Sequence, residues 1–263
     1  MRFLITGALG HIGSKLIREL SRSYAQSEIL MIDNLQSERY CSLYNLPKES
    51  KYNFIQADII KYDLDKVLNN CDLVIHLAAI TNAAQSFSIA KELHENNFQS
   101  TKIIAEYCMK LNVPMIHISS TSIYGTSSKI VSEYSTEKDI NPQSPYAKTK
   151  LQEENYLKSL KEKGLSYVTF RFGTIFGISP GMRFHTAVNK FCWQASIKEP
   201  LTIWRTAYNQ LRPYLYINDA INAIKFAIDK SLYNCEIYNV LTANLTVKTI
   251  VDEIKKYIYD LNI

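Results

Sequence analysis

Short, wholly apolar runs alternate along this chain with longer stretches in which apolar residues recur every three or four positions. That is the pattern of buried parallel strands joined by amphipathic helices. The runs are Arg2–Thr6, Ile29–Ile32, Tyr52–Gln56, Leu73–Ala79, Met115–Ser119 and Tyr167–Phe172. The helical periods are about His11–Tyr24, with Ile12, Leu16, Ile17 and Leu20 on one face, and about Glu92–Leu111, followed by Pro114. A third helix opens at Ser144-Pro145, an N-cap and a first-turn proline, and ends near Lys163 before Gly164. Glycine and proline then cluster over 173–181, marking a boundary. Beyond it the pattern predicts a helix near Thr186–Ala195, strands at Leu201–Ile203 and Arg212–Tyr216, a helix near Asn218–Ile228, a strand at Ile237–Val240 and a last helix from about Val247.

The first strand stops at Gly7-Ala8-Leu9-Gly10-His11-Ile12-Gly13, and the second ends in Asp33, 20 residues beyond Gly13. Glycine at those positions permits a tight bend, a close approach of main chain to a pyrophosphate, and a helix seated against the sheet. The free N–H groups at the helix start then meet an anion. A Rossmann-type doubly wound parallel sheet follows, with a smaller α/β substrate lobe. The expected division is 1–175 for the NAD-binding part and 176–263 mainly for the substrate lobe, with elements near 217–240 packing back on the first. Asp33 can accept from both ribose hydroxyls of NAD. A 2′-phosphate would meet a like charge there with no adjacent basic residue to offset it. The plainer alternative has Asp33 capping the loop at Asn34.

Composition narrows the class. At 263 residues, 46% apolar and 21% charged, the chain can bury a full core. No apolar run reaches membrane-spanning length, and glycines interrupt the N-terminus where a secretory signal would need continuity. Five dispersed cysteines without metal-ligand spacing suit a reducing cytosol, so a cytoplasmic protein without a metal is expected. A net charge of +5 spread without a run argues against nucleic acid and allows an anionic small substrate.

Candidate chemistry gathers at the carboxyl ends of the strands, where open α/β sheets bind ligands. Asp58 is placed either against adenine or as a loop cap. Leu77, Ala78 and Ala79 leave room for a flat ligand, whereas His76 reads as a satisfied core histidine. Ser119, Ser120, Thr121 and Ser122 offer short hydroxyl donors. Tyr146 and Lys150 lie one turn apart on the third helix. Tyr-x-x-x-Lys also occurs at Tyr44/Lys48, Tyr62/Lys66 and Tyr134/Lys138, so with 18 tyrosines the spacing alone proves nothing. Position at the ligand edge singles out Tyr146, whose phenol an ammonium and a nicotinamide would push down into use as a base, while Lys150 holds the cofactor ribose. Arg183, Lys190, Arg205 and Arg212 are candidate clamps for a diphosphate.

Together the chain resembles the extended short-chain dehydrogenase/reductase family, the NAD-dependent epimerases and dehydratases of nucleotide sugars. The motifs are Gly7-x-x-Gly10-x-x-Gly13, Asp33-Asn34-Leu35, Asp58-Ile59, His76-Leu77-Ala78-Ala79, Asn97, Ser119 to Gly125, Ser144 to Lys150, and Arg212 to Asp219. The resemblance implies that Ser120 holds the substrate hydroxyl beside Tyr146, that Arg212 binds the diphosphate, and that two chains pair through the helices beginning near Glu92 and Tyr146. It places Asp58, Ile59 and Asn97 with the cofactor residues, and Thr121, Ser122, Thr174, Arg183, Arg205 and Arg212 with the substrate. The chain departs from the pattern in three ways. Thr121-Ser122 stand where dehydratases have Asp-Glu, Thr174 stands where Asn is common, and relatives usually continue past the last helix, which implies an incomplete substrate lobe. The expected reaction is epimerisation through a transient keto sugar. A dehydratase, reductase or decarboxylase, or a non-catalytic NAD-binding sensor or scaffold, is the alternative.

Overall fold

The computed structural model describes residues 1–81, 85–126, 130–136, 139–203, 205–258 and 261. Lys138 of the Tyr134/Lys138 spacing therefore lies outside the described residues. Seven parallel strands form the main sheet: β1 (Arg2–Thr6), β2 (Glu28–Asp33), β3 (Lys51–Gln56), β4 (Leu73–His76), β5 (Met115–Ser120), β6 (Tyr167–Phe172) and β9 (Ile237–Val240), in the order β3-β2-β1-β4-β5-β6-β9. A second sheet is built from β7 (Thr174–Phe176), β8 (Arg212–Tyr216) and β10 (Ala243–Leu245), with β8 parallel to β7 and antiparallel to β10.

The twofold alternation of strand side chains divides the core into two layers. Phe3 and Ile5 of β1 point to the face covered by α1 (His11–Ser23) and α6 (Ile217–Asp229), where Leu16, Ile17, Leu20, Ile221 and Ile224 meet them. Leu4 points to the other face, under α2 (Asp65–Leu68), α3 (Ala90–Leu111) and α4 (Pro145–Lys161), and joins Val74, Ile104 and Leu157. A third cluster lies between the small sheet, α5 (Ala187–Ser196) and α7 (Val247–Lys255), built on Phe191, Tyr214, Val247 and Val251.

The periodicity reading did not foresee α2 or β10, and three further stretches differ from it. Leu201–Ile203 is not a strand; Leu201 is buried in the third cluster, so its apolar pattern reflects packing and not pairing. Thr174–Phe176, expected inside the boundary loop, is β7, because its partner β8 begins almost forty residues later and is invisible locally. Strand β4 ends at His76, and Leu77–Ala79 continue as an open turn.

Candidate active site

The glycine turn has the shape its sequence demands. Gly7 takes φ +63°, and a Cβ there would lie 2.7 Å from the Ala78 backbone; one on Gly13 would lie 2.6 Å from the carbonyl oxygens of Gly7 and Ala8. Helix α1 starts behind Gly10 with no side-chain cap, so its first-turn N–H groups are left to an external acceptor. Asp33 ends β2, accepting from Leu9 N at 3.0 Å through Oδ2 and from Leu35 N at 2.9 Å through Oδ1. The carboxylate thus shapes the loop, as in the plainer reading, while staying partly exposed at the sheet edge. Contrary to expectation a basic residue does stand near it: Arg39 is brought within electrostatic reach as the chain turns back after β2. An uncapped helix start, a turn closed to side chains and a terminal acid fit a dinucleotide.

One cavity of about 930 Å³ runs from this turn to the small sheet. It brings together Gly7, Gly10, His11, Ile12, Gly13, Leu77, Ala78, Ala79, Ser119, Ser120, Thr121, Ser122, Tyr146, Lys150, Thr174, Arg183 and Arg212. The remaining candidates lie elsewhere. Asn34 accepts from Gln36 N, and Asp58 accepts from Ile60 N at 3.0 Å as a loop cap. Ile59 is buried in the second core layer. Asn97 spends its amide on Ile80, accepting from its N–H at 2.8 Å and donating to its carbonyl at 2.9 Å, and so fixes the turn after β4 rather than lining the cavity. Arg205 is exposed on a short turn outside the lining.

Tyr146 owes its position to the helix start. Ser144 Oγ accepts from Ala147 N at 3.1 Å, and Pro145 occupies the first turn. Lys150 follows on the same face, buried, its ammonium 2.8 Å from Glu153 Oε2. The phenol departs from the expected direction: burial raises it, Lys150 and Arg183 pull it down, Glu153 pushes it up, and the sum lies above the ordinary tyrosine value. In the chain's own field, then, the ammonium does not overcome desolvation. Ser120 Oγ accepts from Ser122 N at 3.1 Å, Thr121 Oγ1 donates to the Phe172 carbonyl at 3.3 Å, and Ser122 Oγ is buried without a partner among the described residues. His76 bonds Thr6 Oγ1 at 2.7 Å and Thr101 Oγ1 at 3.2 Å, and burial pushes it down to about 3, the satisfied core histidine.

The periodicity reading missed the groups beneath this wall. Glu154 receives Arg171 in a two-pronged pair, Nη2 to Oε2 at 2.6 Å and Nε to Oε1 at 3.0 Å, together with Ser119 Oγ at 2.5 Å. Arg171 Nη1 donates to the Tyr124 hydroxyl, which donates to Asn239 Oδ1 at 2.9 Å. Ser119 and Tyr124 stood in the Ser119 to Gly125 motif, whereas Glu154, Arg171 and Asn239 meet their partners from separate elements and carry no local signal. Arg183 reaches Thr81 Oγ1, and its Nε is buried with no partner among the described residues. Burial makes that guanidinium's charge unfavourable, Tyr146 offsets this, and Arg39 adds repulsion. No aspartate or glutamate is among the described residues lining the cavity.

The sequence matches the NAD dependent epimerase/dehydratase family over residues 3–240. The chain belongs to that family. Among the relatives of this epimerase/dehydratase is an uncharacterized UDP-glucose epimerase of Bacillus subtilis, 31% identical over 88% of this chain and 73% of the relative. A dTDP-D-glucose 4,6-dehydratase of Bos taurus is 30% identical over 92% of this chain and 68% of the relative. Among solved structures, a mutant UDP-glucuronic acid 4-epimerase from Bacillus cereus, in complex with UDP-4-deoxy-4-fluoro-glucuronic acid and NAD, aligns with a TM-score of 0.90 at 28% identity, covering 100% of this chain and 84% of that one. The family member described here is therefore an NAD-dependent enzyme.

Proposed function

We propose that the protein is an epimerase of a nucleotide sugar in which Tyr146 is the base, Lys150 holds the cofactor ribose and Ser120 holds the reacting hydroxyl. The reading rests on one observation: Tyr146, Lys150 and Ser120 line the same cavity as the uncapped glycine turn. NAD, when bound, supplies the acceptor and donor of hydride. Tyr146 takes the proton of a sugar hydroxyl as the carbon becomes a ketone and returns it when hydride comes back on the other face. Ser120 fixes the hydroxyl, and the cavity holds the sugar while it turns.

Gly7, Gly10, His11, Ile12 and Gly13 would cradle the pyrophosphate, and Asp33 the ribose. On this division residues 1–175 serve chiefly the cofactor and 176–263 the sugar nucleotide. Elimination of water needs an acid beside the ketone, and the lack of a carboxylate among the described residues lining the cavity favours epimerisation over dehydration. Arg39, Arg183, His185 and Arg212 line the cavity. The Nε of Arg183, without a partner among the described residues and within electrostatic reach of Tyr146, fits a sugar bearing a carboxylate, as in the Bacillus cereus complex. We read the enzyme as a cytoplasmic homodimer joined through α3 and α4, whose outer face carries an apolar groove at His94, Phe98 and Tyr156.

The test is incubation of NAD-loaded protein with UDP-glucuronic acid and, separately, UDP-glucose. A product of unchanged mass and inverted configuration by NMR is expected, faster with the acid. Loss of water would establish the dehydratase, and NAD binding without conversion of either sugar the sensor. Sedimentation reads the dimer.

A further inference from the structure

Tyr146, Lys150 and Glu153 follow at helical spacing along one face of α4, and the mechanism above leaves the third unused. Glu153 is fully buried. Its Oε2 accepts from Lys150 Nζ at 2.8 Å and from His117 Nε2 at 2.9 Å, while Oε1 has no partner among the described residues. His117 sits on β5, in the sheet floor, and its Nδ1 meets Thr169 Oγ1 of β6 at 3.3 Å. Burial and Lys150 hold the imidazole below its ordinary value against the pull of Glu153, to whose carboxylate Nε2 donates. His117 and Thr169 are both fully buried, so the chain of bonds ends inside the protein. It provides no exit for a proton and serves as an anchor.

A carboxylate so deep is retained only with strong partners. Desolvation opposes its charge, yet Lys150 and His117 hold it down at about 2, ionised throughout the working range. Lys150 is likewise disfavoured by burial and is held charged chiefly by Glu153. The groups facing the Tyr146–Lys150 pair are Glu153 and Glu154 on α4, His117 on β5, His76 on β4, and Arg183 ahead of α5. Glu154 is occupied by Arg171 and acts on Lys150 more weakly, so Glu153 is the dominant negative charge on the pair.

We propose that Glu153 is a positioning residue for the active site: its buried carboxylate ties the Lys150 ammonium to the sheet floor and sets the charge that the Tyr146 hydroxyl faces. The inference rests on the reading of Tyr146 and Lys150 as the catalytic pair. Two consequences follow. Removing the charge shifts every proton-loss step of the coupled pair to lower pH. Keeping the charge but shortening the side chain draws the ammonium away from the ribose it is to hold.

The experiment reads titration rather than turnover. In NAD-loaded protein the phenolate absorbance of Tyr146 is isolated by subtracting the same titration of the Tyr146→Phe variant. The measurement is then repeated in Glu153→Gln, again against its own Tyr146→Phe partner. A midpoint lower by about half a pH unit or more, with unchanged circular dichroism, is the expected result. An unmoved midpoint overturns the proposal. Should Glu153→Gln fail to fold, Glu153→Asp decides: NAD affinity weakened severalfold supports the anchor, and wild-type affinity overturns it. Because neither readout uses a sugar, an absence of epimerisation and a failure of the Glu153 assignment are separate outcomes.

Discussion

Tyr146, the proposed base, stands on a helix start set by the two residues ahead of it. Ser144 and Pro145 fix where α4 begins, and that start delivers Tyr146 and Lys150 to the cavity. Both facts were legible in a short stretch of chain. The direction of the phenol's shift was not, because it depends on burial and on Glu153, and burial is a property of the whole fold. The same limit explains Asn97 and Ile59, whose motif positions were recognisable but whose fold commits an amide to Ile80 and a side chain to the core, while Asp58 takes the loop cap that was one of its two readings. Arg39 was overlooked because its approach to Asp33 is made by a folded-back loop. Replacing Tyr146 with Phe is expected to lower the epimerisation rate by at least about a hundredfold with little change in NAD affinity. Steady-state kinetics and calorimetry on the same preparation check the two halves of that statement.

Among the elements, α4 is fastened to the sheet by charge as well as by Leu157 and Leu160. Glu154 on α4 meets Ser119 on β5 and Arg171 on β6, and Arg171 passes the contact to Tyr124 and thence to Asn239 on β9. The guanidinium also lies 5.0 Å from the centre of the Tyr124 ring. Arg171→Met leaves the Glu154 carboxylate buried without its partner and is expected to cost about 3–5 kcal/mol. The double variant Arg171→Met with Glu154→Met should recover a large part of this, measured by urea unfolding. The glycine turn makes a sharper prediction. In Gly13→Ala the new methyl would meet two carbonyl oxygens of the turn, so NAD affinity should fall at least about tenfold, a change of about 1.4 kcal/mol, in a calorimetric titration. Strands β7 and β10 mark where element reading stopped: three-residue strands, each paired to β8 from a distant part of the chain, carry no periodic signal of their own.

The whole molecule has an acid sensitivity written into its core. His11 donates Nε2 to the Gly177 carbonyl at 2.9 Å, and burial lowers it to about 4, while His76 is lowered to about 3. Above the ordinary histidine value of about 6.5 both are neutral whether the chain is folded or not, and their contribution is complete. As pH falls below that value the unfolded chain binds protons the folded one refuses, so stability declines down to about 4 for His11 and about 3 for His76. The melting temperature should therefore drop between about pH 6.5 and about pH 4, and His11→Phe should flatten part of that slope. Equal slopes in both proteins would remove His11 from the account.

The same histidine belongs to a seam between the two sheets. Gly181 N donates to Ser14 Oγ at 2.9 Å, Cys41 Sγ lies 3.1 Å from the Pro180 carbonyl, and a Cβ on Gly181 would strike the Leu9 carbonyl. Residues some 170 positions downstream thus press on the back of the glycine turn, and β9 from the same downstream third closes the edge of the large sheet. A fragment cut off at residue 175 would lose its outermost strand and the backing of its turn together. A change in the 177–181 loop is therefore expected to disturb the glycine turn it packs on as well as the small sheet it leads from.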